Sequence, residues 1–184
     1  MGVTASGKTT VGHALALRLG WVFADADDFH SQQSRAKMQA GIPLDDADRA
    51  PWLASLHAQI ATWVGNQTHS ENAILACSAL KQQYRDTLLA GIDSQSVRFV
   101  FLDGPASVMQ ARLAQRKDHY MSPSLLPSQI ATLEPPTDAL RVSVDQTFPA
   151  IVQDIVTGLD LGDYPESQEK IQTDIGQGKI QTDL

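Results

Sequence analysis

Apolar positions recur along this chain in two rhythms, one of helical spacing and one of short continuous runs. From Lys8 to Leu19, Val11, Leu15 and Leu19 stand four apart with Ala14 filling the stripe, which predicts a helix closed by Gly20. Trp21-Val22-Phe23-Ala24 predicts a short buried strand, and Asp25-Ala26-Asp27-Asp28-Phe29-His30 follows at its carboxyl end. Residues 31–40 predict a polar helix stopped by Gly41, and Ile42-Pro43-Leu44 connects it to a longer helix that Asp45, Asp46 or Asp48 can cap. Trp52, Leu53, Leu56, Ile60 and Val64 form the apolar stripe of that helix, with Pro51 tolerated because it lies near the start.

Residues 73–77 predict the next strand, followed by Ser78-Ala79-Leu80-Lys81 and a helix through about Leu89. Val97-Arg98-Phe99-Val100-Phe101-Leu102 is the clearest strand pattern, broken by Asp103-Gly104-Pro105, where Asp103 reads as a turn residue rather than a metal carboxylate. A helix over 106–117 carries Val108, Met109 and Leu113 on one side, with Arg112 and Arg116 four apart. Pro123, Pro127, Pro135 and Pro136 frame a short helix near 126–133, and a last strand (140–144) and amphipathic helix (149–159) follow. Strands alternating with helices predict parallel pairing and a doubly wound α/β fold. Beyond Leu161 the chain turns polar. Lys170-Ile171-Gln172-Thr173-Asp174 recurs as Lys179-Ile180-Gln181-Thr182-Asp183. A single duplication does not make a solenoid, and residues 162–184 read as a mobile tail without catalytic duty.

The 184 residues suit one domain with a full core. A net charge of −7 and a pI near 5.0 argue against nucleic acid or an anionic membrane as the main partner. No apolar run approaches the ~20 residues that span a bilayer, and no secretory pattern is present, so a cytoplasmic protein is expected. Cys77 stands alone among apolar neighbours and reads as a buried thiol.

The strongest chemical signal lies in the first ten residues. Gly2, Gly7, Lys8 and Thr9 fill every fixed position of the phosphate-binding pattern G-x-x-x-x-G-K-[ST]. Glycines let backbone N–H groups turn inward onto phosphate oxygens, the lysine reaches the β/γ-phosphates, and the hydroxyl ligates Mg²⁺. A helix opening at about Gly7 adds its N-terminal dipole. Gly2, Val3, Thr4, Ala5, Ser6, Gly7, Lys8, Thr9 and Thr10 are therefore the expected nucleotide-binding stretch. The acids after the second apolar run lie where an α/β sheet places its ligand crevice, and Asp25 and Asp27, two apart, share a face. Either could instead cap a helix at 28–31. His13, His57 and His69 lack the spacing of a zinc site. Trp52 and Trp63 read as core or interface.

The ordered blocks Gly2…Gly7-Lys8-Thr9, Asp25-Ala26-Asp27-Asp28-Phe29-His30, Lys37-Met38…Gly41-Ile42-Pro43-Leu44, Asp48-Arg49-Ala50-Pro51-Trp52-Leu53, Ala76-Cys77-Ser78-Ala79-Leu80-Lys81, Tyr84-Arg85-Asp86 and Thr132-Leu133-Glu134-Pro135-Pro136 resemble the gluconokinase family from Gly2 to about Leu159. Three departures stand out: no strand precedes the phosphate loop, Ala5 replaces a usual glycine, and Asp118-His119-Tyr120-Met121 stands where Gly-His-Phe is commoner.

The resemblance implies a P-loop kinase of residues 1–161, with a five-stranded parallel sheet flanked by helices, its first, central strand missing or cut short, and a small lid at about 118–136. It implies ATP-dependent phosphorylation of D-gluconate to 6-phospho-D-gluconate with ATP and Mg²⁺, in a homodimer. Alternatives are another P-loop kinase, of shikimate or a nucleotide, and a non-catalytic nucleotide-binding remnant. By the same resemblance Lys8, Asp27 and Arg116 carry catalysis. Asp25 joins Thr9 at the metal, and Asp27 accepts from the attacking hydroxyl. Arg112 and Arg116 reach the nucleotide, while Arg49, Lys81, Arg85 and His119 lie near the sugar acid. Lys81 and Arg85, four apart, are expected on one helical face; their bland alternative is a solvated basic face paired with Asp86. A missing central strand of about five apolar side chains would remove on the order of 10 kcal/mol, as much as a typical domain's whole stability. Met1 is therefore expected to stand within the tail end of that strand.

Overall fold

In the computed structural model, two left-handed glycines, Gly7 (φ 96°) and Gly20 (φ 68°), bracket the first helix, α1 (Lys8–Leu19). The structure describes residues 1–65, 72–115 and 125–162. After α1 come β1 (Val22–Asp25), a single 3-10 turn over Ala26–Phe29, α2 (Gln32–Gln39), α3 (Asp46–Gly65) and β2 (Ala73–Ala76). Then follow α4 (Gln82–Leu88), β3 (Val100–Asp103), α5 (Ala106–Gln115), α6 (Leu125–Thr132), β4 (Leu140–Ser143) and α7 (Phe148–Gly158). Ser31 caps α2 by accepting the Ser34 N–H at 3.1 Å. At α3, Asp45 accepts the Asp48 N–H (2.8 Å) while Asp48 accepts the Asp45 N–H (3.1 Å), a reciprocal capping box built from two aspartates.

The strands form two parallel pairs. Val22 to Asp25 of β1 face Ala73 to Ala76 of β2, and Val100 to Asp103 of β3 face Leu140 to Ser143 of β4. The expected five-stranded parallel sheet, its first strand missing or cut short, is met in part: the described residues hold four strands, arranged as two separate parallel pairs. Among the described residues, Met1 and Gly2 carry backbone hydrogen bonds between the two halves. The Met1 amine donates to the Val100 carbonyl, the Leu102 N–H donates to the Met1 carbonyl at 2.9 Å, and the Gly2 N–H donates to the Ser78 carbonyl at 3.3 Å. One residue cannot carry a ladder across. Behind it lies a cavity of about 790 Å³, lined by Leu75 and Cys77 on one side, Phe99 and Val100 on the other, and Leu15 and Ile60 from the helices. Burial holds the Met1 α-amino group down at about 5.

Two apolar clusters flank these pairs. One joins α1 and α7 to β3 and β4 through Val11, Leu15, Val142, Ile151 and Ile155. The other packs α3 and α4 through Trp52, Leu56, Leu88 and Cys77, whose thiol burial pushes up to about 11. Close approach fixes two glycines. A Cβ on Gly12 would meet the Phe23 ring at 2.6 Å, so α1 lies directly on β1, and a Cβ on Gly2 would meet the Leu102 carbonyl at 2.7 Å. Among the described residues no helix is long and apolar enough to cross a membrane. Arg116, His119, His69, residues 118–124 of the expected lid and residues 163–184 of the expected tail lie outside the described residues.

Candidate active site

The phosphate loop is a tight, buried turn. Val3, Thr4, Ala5 and Ser6 are all below a tenth exposed. Gly2 (φ 143°), Ala5 (φ 60°) and Gly7 (φ 96°) take the positive-φ conformations that turn successive amides inward. Ala5 does so with a Cβ, which is disfavoured for any residue but glycine. The loop is held from several sides. Ser6 donates its N–H to the Val3 carbonyl at 3.3 Å, and Lys8 Nζ donates to the same carbonyl at 2.9 Å. Arg112 approaches the Ala5 and Ser6 carbonyls at 3.5 Å and donates to the Val144 carbonyl at 2.7 Å. Arg112 thus braces the loop from the body of the protein. Thr10 is buried, whereas Thr9 is exposed at the loop's open side.

Thr9 and the first acid meet there. Thr9 Oγ1 donates to Asp25 Oδ2 at 2.7 Å, and Asp25 Oδ1 accepts the Asp27 N–H at 3.0 Å, so Asp25 caps the 3-10 turn while facing Thr9. The capping and metal-site readings of Asp25 are therefore compatible, one oxygen serving each. Hydroxyl and carboxylate oxygens are the hard donors Mg²⁺ takes, and Mg²⁺ keeps waters and substrate phosphates rather than a full protein cage. Among the described residues no group of three or more His, Cys, Asp or Glu stands ready to hold a metal ion. Asp27 sits one step further into the crevice. Burial first, and then the Asp25 carboxylate, push its carboxyl up to about 6 against the pull of Lys8. A cavity of about 520 Å³ opens here, with Thr9, Asp25, Asp27 and Arg35 in its wall. The larger cavity is the apolar slot between the strand pairs and holds none of the acids.

Arg35 ties the acidic turn down, donating to the Asp28 carbonyl at 2.6 Å and the His30 carbonyl at 3.1 Å. His30 is buried and stacked on Trp52 (ring centroids 4.6 Å, 7° between planes), and Trp52 Nε1 donates to the Ala26 carbonyl at 2.7 Å. Trp52 is therefore core, as expected, and also the wall that sets His30. Burial, with Arg49 and Arg35 adding, lowers His30 to about 4, so it stays neutral at physiological pH. Its Nδ1 is buried with no hydrogen-bond partner.

Across the turn, Arg49 and Lys81 converge on Tyr84, their charged ends 5.5 and 5.2 Å from its ring centre. Asp46 joins them: both its oxygens accept from Lys81 Nζ at 3.0 Å, one accepts the Tyr84 hydroxyl, and Arg49 lies 3.9 Å away. These contacts, the Tyr84 bond first, hold Asp46 below the usual carboxylate range.

Arg85 goes elsewhere. It is 2 % exposed, donates to the Ala79 and Leu80 carbonyls at 2.9 and 3.3 Å, and holds Gln82 Oε1 at 2.8 Å. The expectation that Lys81 and Arg85 share a helical face is corrected: α4 begins at Gln82, Lys81 is its extended N-cap, and the two side chains part. Asp103, placed in a turn by its sequence, closes β3 and pairs with Arg141. His30, Asp46 and Tyr84 were not singled out by the sequence. The signal available was their place in the Asp25–His30 run and in the first turns of α3 and α4.

Comparison with known proteins agrees with this geometry. The family described as the AAA domain matches residues 1–136. A probable gluconokinase from Mus musculus is 42% identical over 177 residues, covering 86% of this chain and 95% of that protein. A gluconokinase from Gluconobacter oxydans is 42% identical over 160 residues, covering 85% and 86%. The crystal structure of a gluconokinase from Sinorhizobium meliloti 1021 superposes with a TM-score of 0.76 at 39% identity, covering 87% of this chain and 89% of that one. With identity of this order over nearly the whole of each relative, and a phosphate loop facing an acidic strand end, the chain belongs to the gluconokinase family.

Proposed function

We infer that this protein transfers the γ-phosphoryl group of ATP to the terminal hydroxyl of D-gluconate, giving 6-phospho-D-gluconate and ADP. The observation that carries the reading is the Thr9–Asp25 contact of 2.7 Å, which brings the end of the phosphate loop against the acidic turn that holds Asp27. Phosphoryl transfer asks a protein mainly to position the reactants and neutralise charge. The loop amides and Lys8 take the phosphates. Thr9 and Asp25 would hold Mg²⁺, which when bound neutralises charge on the transferred group. Asp27, raised to about 6, is ionised at pH 7 yet basic enough to accept the proton of the acceptor hydroxyl as its oxygen bonds to phosphorus and the ADP oxygen leaves.

Arg49 and Lys81 offer the charge-assisted bonds a sugar-acid carboxylate needs, with Tyr84 and neutral His30 beside the hydroxyl row. Arg85 supports Lys81 by fixing the Ala79–Leu80 turn. Arg112 braces the loop. Arg116, with His119, is assigned to a lid over 118–136 that excludes water during transfer. We place the kinase unit at 1–161, give 162–184 no part in the chemistry, and read the assembly as a cytoplasmic homodimer. A further extended apolar segment between β2 and β3, ending at Met1, would join the two pairs into one five-stranded sheet, a reading supported by the slot's apolar lining.

ADP release measured by enzymatic coupling with gluconate, shikimate and nucleoside monophosphates in turn tests the assignment. Turnover with gluconate alone is expected. A sample that binds ATP and Mg²⁺ but releases ADP with another acceptor, or with none, overturns it.

A further inference from the structure

The phosphate loop is touched by one side chain that neither the motif nor the reaction assigns. The Thr4 N–H donates to Gln129 Oε1 at 2.7 Å, a contact between the loop and the middle of α6 across 125 positions of sequence. Thr4 is 7 % exposed, so water cannot easily replace this partner. The neighbouring groups are served otherwise: Ser6 N–H by the Val3 carbonyl, and the Ala5 and Ser6 carbonyls by Arg112. The Thr4 end of the loop therefore takes its setting from α6.

The same segment is tied at its other end. Two residues past α6, the Glu134 carboxylate accepts the Gln82 N–H at 2.6 Å, and the Glu134 N–H donates to the Leu80 carbonyl at 2.8 Å. Those two bonds straddle Lys81, which points at Asp46 and Tyr84 in the acceptor pocket. Ahead of the first tie, Leu125 and Leu126 are buried and seat the start of the helix on the body. Four residues thus separate a contact to the nucleotide loop from a clamp on the acceptor cation.

The chemistry of the two contacts suits their places. A side-chain amide accepts from the loop N–H through its oxygen and brings no negative charge toward a triphosphate, which a carboxylate at 129 would. At α4 a carboxylate is the better partner, because helix N-terminal N–H groups favour an anion.

We propose that residues 125–134 couple the two substrate sites, with Gln129 positioning the phosphate loop through Thr4 and Glu134 positioning Lys81 through the start of α4. The proposal rests on the reading above that the loop takes ATP and Lys81 the sugar acid. In that arrangement the filling of one site biases the strap toward the setting the other requires, and the effect is reciprocal.

The test is calorimetric titration of the full chain with the non-hydrolysable imido analogue of ATP, alone and in saturating gluconate, and the converse titration. In the wild type each ligand is expected to tighten the other at least about fivefold, by the same factor in both directions. Gln129→Leu and Glu134→Gln are each expected to bring that factor to within about twofold of one. Glu134→Gln also leaves nucleotide affinity measured without gluconate unchanged, which a general loss of structure would not. Should Gln129→Leu fold poorly, Gln129→Asn, which keeps the amide but is one methylene short, takes its place. Wild-type binding of both ligands without mutual effect, or coupling that survives either substitution, overturns the proposal while leaving the kinase reading intact. A wild type that binds the nucleotide analogue but not gluconate overturns the kinase reading, and the coupling with it.

Discussion

The proposed nucleotide half and the proposed acceptor half of this site are built on opposite plans. The first is written in one stretch, residues 2–10, and works through backbone groups that three positive-φ residues turn inward. The second is gathered from the acidic turn, α3 and α4, and works through side chains that hold one another: Asp46 between Lys81, Tyr84 and Arg49, and His30 on Trp52. Backbone recognition depends on conformation and tolerates exchange at the variable loop positions. Side-chain recognition depends on each partner, so a single loss is felt as affinity for one substrate. The difference predicts where substitutions divide between turnover and acceptor binding.

The largest effect is expected on the nucleotide side. Lys8→Met removes the charge proposed to meet the β/γ-phosphates and should lower kcat by about 10³-fold or more, with the melting temperature little changed. Equal loss of fold and activity would instead make Lys8 a structural residue of the loop, through its bond to Val3.

Asp27 stands where the two halves meet. Asp27→Asn should lower kcat on the order of 10²-fold. The raised carboxyl gives the wild type an acid limb near pH 6, kcat/KM falling as pH drops and Asp27 takes up its proton. The stability effect has the opposite sign. The native carboxyl binds its proton more tightly than the unfolded one, so wild-type stability declines as pH rises from about 4 to about 6 and stays lower above. At pH 7 Asp27→Asn should therefore stabilise the fold by about 1–2 kcal/mol, after discount for partial exposure, and this gain should vanish below pH 4. Chemical denaturation at pH 4 and pH 7 checks it.

On the acceptor side, Lys81→Met should raise the KM for gluconate about 10- to 50-fold while nucleotide affinity measured alone is unmoved. Arg85→Lys sharpens the contrast. It leaves a buried cation unable to serve two carbonyls and Gln82 at once, and is expected to lower stability by about 1–3 kcal/mol. The smallest effect lies back in the loop. Ala5→Gly relieves the left-handed strain at φ 60° and should add about 1 kcal/mol to stability, seen as a higher melting temperature.

The same division explains what the sequence disclosed. The phosphate loop, both acids and all four strands were legible, because glycine spacing and apolar runs state backbone requirements directly. The sequence pattern starts the third strand at Val97, yet ladder pairing starts at Val100; residues 97–99 line the slot between the sheets, and the Phe99 carbonyl accepts the Leu140 N–H at 2.9 Å just where the ladder with β4 begins. Arg85 was read from spacing as a companion of Lys81, but spacing presumes that both lie in one helix, and Lys81 stands just outside it. Gln129, Asp46 and His30 were silent because their partners lie up to 125 residues away. No local pattern records a contact of that kind.

The central claim is that the phosphate loop and Asp27 act together on a gluconate hydroxyl. Phosphorus NMR of the products after incubation with ATP, Mg²⁺ and gluconate tests it most directly. The account predicts a phosphomonoester on the terminal carbon of gluconate in step with ADP, and its near absence with Asp27→Asn. Inorganic phosphate as the only new signal, or an undiminished phosphomonoester from Asp27→Asn, would contradict it.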